Sequence, residues 1–458
     1  MQTGETPTVA ATSPADSFAV SAPAVETSPA SPMSLRFAWV VSWGTKGGLA
    51  AADQALFAGA QFFLNILLAR WLAPTGYGAF AVAYAIYQLA IAVHNALLVE
   101  PMIVYGSGRY LPARRNYFAM VSRGHWLVTA LMGLLLYAAG AFVAWLESPP
   151  VGYALEALGL ILPLTLLVEL TRRAFYIDMQ PGLAAAGGAV YFCALLVLAL
   201  GLRKANLLSP ATGILAMGVA ALLTAGVQQM WLRARWPRHS EKLFPRSIAA
   251  EHWTYGRWVL AAVIPSWTLL NLYYVVLPAR FGLKESGALK ALMNLAMPAI
   301  HSVIAFGVLA VPLLVRHRLT GGLPLLQQTV RRLTLIFLAG ATAYLMTLWV
   351  FRIPILHLLY AGKYLDTTAT TVLLVGLVPL VTACSVIFGS ALRAFERPDL
   401  VFWANAIGGF VSLTLGLWIA ANWGVQGAIA AYLISYGTLA GARFIFYRKL
   451  SASDAAPA

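Results

Sequence analysis

Apolar residues run through this chain in stretches of about twenty, separated by short clusters of Pro, Gly, Arg and Lys. A helix needs about 20 apolar residues to cross the hydrocarbon core of a bilayer. Each stretch therefore predicts a membrane-spanning helix. Twelve are predicted, at about 49–70, 77–101, 124–146, 153–171, 182–202, 211–232, 257–279, 287–315, 333–353, 368–391, 400–421 and 425–446. The expected fold is an all-α polytopic membrane protein.

The polar positions inside those stretches are not scattered. Successive residues of an α-helix advance about 100°. Gln54, Gln61 and Asn65 therefore share one face of the first span, with Asp53 to one side. Tyr84, Gln88 and Asn95 share a face of the second, bordered by His94. Lys290, Asn294 and His301 do the same in the eighth. Polar groups in a span must face protein or water. One reading is hydrogen bonding between helices; three stripes in corresponding hairpins point instead to a central polar cleft.

Composition agrees with the pattern. The 458 residues are 60% hydrophobic and only 10% charged, where a soluble domain carries about 25% charged residues. The net charge of +15 does not signal nucleic acid here, because the basic residues lie between apolar spans, where they set topology and meet anionic headgroups. With both termini in the cytoplasm, 23 of the 31 Lys and Arg fall on the cytoplasmic side. Residues 1–33, rich in Ala, Ser, Pro and Thr, are expected to form a disordered cytoplasmic tail. The most basic connection, residues 236–256, divides a lobe of residues 34–235 from one of 257–448, with a second tail at 449–458. The halves echo each other faintly: Leu64-Asn65-Ile66, Pro74 and Tyr77-Gly78-Ala79-Phe80 parallel Leu270-Asn271-Leu272, Pro278 and Ser286-Gly287-Ala288-Leu289. Equal halves of six spans imply parallel repeats about an axis normal to the membrane. Cys193 and Cys384 lie within apolar spans and are expected to be small core residues without a disulfide.

The hairpin from Ala51 to Met102 carries a recognisable pattern. It reads Asn65-x-Leu67-Leu68-Ala69-Arg70-Trp71-Leu72-x-Pro74-x-x-Tyr77-Gly78-Ala79-Phe80, then His94-Asn95-Ala96-Leu97 and Glu100-Pro101-Met102. It resembles the opening hairpin of polysaccharide transporters, the branch of the multidrug/oligosaccharidyl-lipid/polysaccharide exporter superfamily that holds the O-antigen flippases (Wzx). The resemblance implies two six-helix lobes in a bacterial inner membrane. It also implies export of an undecaprenyl-diphosphate-linked oligosaccharide by alternating access. Partners would be the lipid-linked oligosaccharide and membrane lipids, with a polysaccharide polymerase and chain-length proteins beyond them.

In that light Lys290 either holds a diphosphate as a point charge or snorkels outward. Asp53 sits near the cytoplasmic start of its span, where snorkelling would relieve its charge. Glu100 is expected to pair with Arg109 or Arg173 at the inner gate. Arg172, Arg173, Arg393 and Arg397 at the inner face are topology signals first and headgroup-recruiting residues second. Pro265, Pro298, Pro312 and Pro379 are expected to bend their helices. No Walker A sequence is present, and the seven His and two Cys show no metal-ligand spacing, so neither an ATPase, a cofactor nor a metal is expected. Two other functions remain open: a drug/cation antiporter of the same superfamily, which would favour acidic or aromatic cleft residues, and a membrane-embedded polymerase or ligase, which would need a larger outer loop than this chain offers.

Overall fold

Seven of the long helices open on a proline, at Pro32, Pro74, Pro149, Pro181, Pro210, Pro245 and Pro398. Proline suits a first turn because its missing N–H has no partner there in any case. The computed structural model describes residues 32–146, 148–237, 243–364 and 368–455. In chain order the helices are α1 (Pro32–Trp71), α2 (Pro74–Ser107), α3 (Arg114–Trp145), α4 (Pro149–Ile177), α5 (Pro181–Lys204), α6 (Pro210–Arg235) and α7 (Pro245–Phe281). A helical run follows over Leu283–Val350, then the short Arg352–Tyr360, Ala369–Ala394 and a last long run from Pro398.

The two long runs are each a pair of helices. Leu283–Val350 has 68 residues, about 100 Å at 1.5 Å per residue, more than three bilayer cores. It breaks at Gly322, whose φ is +63°, a conformation that glycine adopts at no steric cost. The halves fold back: His317 Nδ1 meets Thr329 Oγ1 at 2.7 Å, and the Tyr344 hydroxyl donates to the Leu295 carbonyl at 2.6 Å. The last run reverses in the same way at Gly424 (φ +55°). We therefore number α8 (283–321), α9 (323–350), α10 (Arg352–Tyr360), α11 (Ala369–Ala394), α12 (398–422) and α13 (425–455). Among the described residues, ten continuous helical runs are long and apolar enough to cross a membrane; the two breaks raise the crossings to twelve, as the hydropathy pattern predicts. The fold is all-α with two lobes, and the chain is a multi-pass membrane protein.

Packing divides the chain into two units, Met1–Thr45 and Lys46–Ala458, and both lobes lie within the second. Several boundaries differ from expectation. The expected disordered tail lies mostly outside the described residues, but Pro32 and Met33 already belong to α1. Helix α7 begins at Pro245, so half of the expected linker 236–256 is helix. Residues 449–455 of the expected second tail continue α13. Pro265, Pro298, Pro312 and Pro379, by contrast, lie inside their helices as expected. Two short π-helical segments, Asn95–Val99 in α2 and Ser412–Gly416 in α12, were not expected. Cys193 is exposed rather than in the core; Cys384 is half-buried, and both are free.

Candidate functional site

Helix α2 carries the contact between the lobes. Near its start, a Cβ built at Gly78 would overlap the Leu283 carbonyl of α8, and one at Gly287 would stand 2.5 Å from the Pro74 carbonyl and 2.9 Å from the Gly78 nitrogen. The two glycines are the repeat-related pair of the sequence, and they meet face to face. Backbones approach this closely only where side chains are absent. Further along, the Trp267 indole donates to the Ala85 carbonyl at 2.8 Å. At the far end Pro101 cannot donate to the Leu97 carbonyl, as a residue four positions on normally would. His252 Nδ1 of α7 fills that place at 3.1 Å, while its Nε2 lies 2.7 Å from the Tyr117 hydroxyl. The neutral imidazole thus donates at Nδ1 and accepts from Tyr117 at Nε2.

Several of the polar stripe residues meet just inside the glycine contact. The Asn294 amide of α8 donates to the Tyr77 hydroxyl at 2.9 Å, and that hydroxyl reaches Asn65 Oδ1 of α1 at 3.4 Å. Lys290, one helical turn away, is buried with 6% of its surface exposed. Its ammonium lies 4.2 Å from the centre of the Tyr84 ring of α2 and 5.2 Å from that of Tyr274 of α7. Cation–π contacts of this kind contribute about 2 kcal/mol when desolvated, less than the loss of bulk hydration. Among the described residues no carboxylate forms an ion pair with it. Lys290 therefore points between the lobes and does not snorkel outward.

The rim of this end is latched by main-chain acceptors. Lys363 Nζ donates to the Leu72 carbonyl at 2.6 Å, and Arg70 Nη1 donates to the Leu358 carbonyl in α10. The Tyr360 hydroxyl of α10 donates to the Ala291 carbonyl at 2.7 Å. Since the glycine contact underlies this latch, Gly78→Ala is expected to hold α2 and α8 apart. Labelling of a Ser286→Cys reporter by a membrane-impermeant thiol reagent, with Cys193 and Cys384 changed to Ser, should then accelerate about tenfold or more, because Ser286 is now fully buried. An unchanged rate would show that this contact does not close the end.

The other stripe residues go elsewhere. Asp53 is fully buried and does not snorkel. Its Oδ2 accepts from Arg172 Nη1 at 3.2 Å and from the Tyr176 hydroxyl at 2.7 Å. Glu169 completes the cluster, with Arg172 Nη2 at 2.8 Å and Arg173 Nε at 2.9 Å. Arg172 is thus a buried member of the first lobe, not an inner-face recruiter. Glu169 and Tyr176 escaped the sequence reading, although Glu169 stands at i−3 and i−4 to the two arginines, a spacing that signals pairing. Glu100 is exposed and makes neither expected ion pair: Arg109 goes to Glu251 at 2.6 Å and Arg173 to Glu169. Gln61 donates to the Tyr191 hydroxyl at 3.1 Å, inside the first lobe. His94 Nε2 meets His125 Nδ1 at 2.9 Å. Asn95 Oδ1 is buried without a partner, and Gln88 is half-buried. Gln54 and His301 are exposed. Arg393 is exposed, and Arg397 pairs with Asp399 at 2.8 Å.

No family model and no curated protein matches the sequence. Solved structures do match the fold. The chain is similar to the inward-facing conformation of a multidrug resistance MATE family transporter of the MOP superfamily, with a TM-score of 0.71 at 11% identity over 88% of this chain and 95% of the other. The outward-facing conformation of such a transporter gives 0.61 at 11% identity over 89% and 95%. A MOP superfamily transporter from Pyrococcus furiosus gives 0.63 at 11% identity over 90% and 97%. The chain has the two-lobe fold of MATE transporters; the narrower likeness to the polysaccharide branch finds no match among these comparisons.

Proposed function

We propose that this chain is an alternating-access exporter whose cargo carries an anionic head. The observation that carries the reading is Lys290: a buried cation between the lobes, faced by tyrosine rings and with no carboxylate among the described residues to neutralise it. A buried charge without a counter-charge is costly, and an anionic ligand would supply one. The buried acids Asp53 and Glu169 of the first lobe are already occupied by Arg172 and Arg173. An undecaprenyl-diphosphate-linked oligosaccharide fits: its diphosphate meets Lys290, its sugars meet Asn65, Tyr77 and Asn294, and its lipid tail stays in the bilayer. Dragging such a head through hydrocarbon unaided would cost several kcal/mol for each unpaired polar group.

The higher TM-score against the inward-facing neighbour and the latched hairpin end support a state closed at that end. In the proposed orientation, with both termini in the cytoplasm of a bacterial inner membrane, that end faces outward.

A second reading has its own support. The neighbours are described as multidrug resistance transporters, which favours a drug or cation antiporter over the oligosaccharide reading as far as likeness goes. The Pyrococcus furiosus neighbour is described by a reversed polarity of its binding pocket, suggesting a different function, so one fold carries pockets of either sign. Lipid analysis of a deletion strain separates the readings. Accumulation of a complete diphosphate-linked repeat unit facing the cytoplasm is the expected result. Unaltered glycolipids with changed drug sensitivity would install the antiporter, and single repeat units stranded on the outer face would point to a polymerase.

A further inference from the structure

Ion pairing separates the two lobes. In the first, Asp53 and Glu169 balance Arg172 and Arg173. In the second, Lys290 has a companion, Arg443 of α13, that also lacks a carboxylate among the described residues. Arg443 Nη1 donates to the Ser385 carbonyl at 2.7 Å and to Ser385 Oγ at 2.8 Å; Nη2 donates to Asn405 Oδ1 at 2.9 Å. Its Nε is buried and has no partner. Gly389 of α11 makes the room: a Cβ there would stand 2.8 Å from Nη1.

Neutral oxygens satisfy the hydrogens of a guanidinium without cancelling its charge. Arg393 stands one helical turn beyond Gly389 on the same face of α11, the face against which Arg443 packs. Asp399 is paired with Arg397 and Asp454 with Arg318, while Glu396 at the same end is exposed and forms no ion pair among the described residues. A second positive charge beside an uncompensated guanidinium is what a planar or tetrahedral oxyanion recognises.

Lys290 and Arg443 stand at different depths. The turns at Gly282 and Gly424 share one end of the molecule, where a Cβ at Gly424 would lie 3.4 Å from Glu285 Oε2. Lys290 is eight residues beyond the first turn and Arg443 nineteen beyond the second, about 12 Å and about 28 Å along their helices. The two cations are therefore separated by about half a bilayer core.

We propose that Arg443 and Arg393 form a site for a phosphate-bearing headgroup on the second lobe, at the end remote from Lys290. The site deepens the anionic-cargo reading and rests on it. It would hold the phosphate at one membrane face while Lys290 receives it nearer the other.

The test is direct binding to the full chain in phosphatidylcholine nanodiscs, titrated with farnesyl diphosphate and followed by tryptophan fluorescence. Inorganic pyrophosphate and, separately, phosphatidylglycerol in the disc serve as competitors. Arg443→Gln is expected to weaken farnesyl diphosphate about tenfold or more and Arg443→Lys less, each compared at equal folded protein by thermal unfolding. Competition by pyrophosphate but not phosphatidylglycerol, lost in Arg443→Gln, would assign the site to a diphosphate cargo. Competition by phosphatidylglycerol, lost in the same variant, would assign it to a membrane lipid. Wild-type binding by Arg443→Gln, with loss confined to Lys290→Gln, would overturn the site while leaving the cargo reading intact. Phosphatidylglycerol binding through Arg443 without any farnesyl diphosphate binding would keep the site and remove the cargo reading. Binding of neither would overturn both.

Discussion

Lys290→Gln is expected to abolish export while leaving the amount of protein in the membrane unchanged. Gln keeps a hydrogen-bonding head on a stem one bond shorter but removes the charge that faces Tyr84 and Tyr274. Truncating one partner of a buried, hydrogen-bonded charge pair costs about 2–5 kcal/mol, so cargo held by that charge should bind at least about 30-fold more weakly. The folded protein itself should lose nothing, and can gain stability, because an uncompensated ammonium leaves the space between the lobes. The measurement pairs polymer export in a complemented deletion strain with the thermal unfolding midpoint of the purified variant. Normal export would remove Lys290 from the cargo site. A collapse of the unfolding midpoint would make it a structural residue instead.

Arg172→Ala is expected to have the opposite profile, damaging the fold before the function. It leaves Asp53 with the Tyr176 hydroxyl alone and Glu169 with Arg173 alone. Breaking a buried ion pair by removing one partner costs about 3–5 kcal/mol, because the other charge stays buried. The guanidinium also packs 4.3 Å from the centre of the Phe57 ring, and alanine leaves that side of the ring uncovered. Asp53→Asn added to Arg172→Ala removes the orphaned charge and should recover part of the loss. The coupling is read from a double-mutant cycle of thermal unfolding. Additive effects would mean that the two residues do not act as a pair.

The residues themselves show why some of this is legible in advance. Twelve apolar stretches fix twelve crossings because a bilayer leaves the backbone few alternatives. Proline at first turns and glycine at Gly282, Gly322 and Gly424 mark the boundaries through their own backbone geometry. Other ends carry no such mark: Met179 and Glu396 adopt φ of +55° and +59°, conformations that neither side chain advertises. Periodicity puts Lys290, Asn294 and His301 on one face of α8 and Gln54 on a comparable stripe of α1; Lys290 and Asn294 are buried, whereas His301 and Gln54 are exposed. A stripe fixes angle about its own axis; it does not fix how far along that axis the neighbouring helix stays in contact.

The sequence by itself therefore determined the all-α class, the number of crossings and a cation near one end of α8; that Gly78 and Gly287 meet came from the packing. Only the tertiary structure decided which charges cancel. Arg172 meets an aspartate 119 residues away, and its burial converts an apparent surface signal into a structural cluster. Arg443 reads along the chain as a topology signal; it becomes a half-buried cation held on neutral oxygens only where α11 and α12 close around it. Whether a buried charge is neutral or bare depends on the sum over neighbours from several helices, and that sum exists only once the helices are packed.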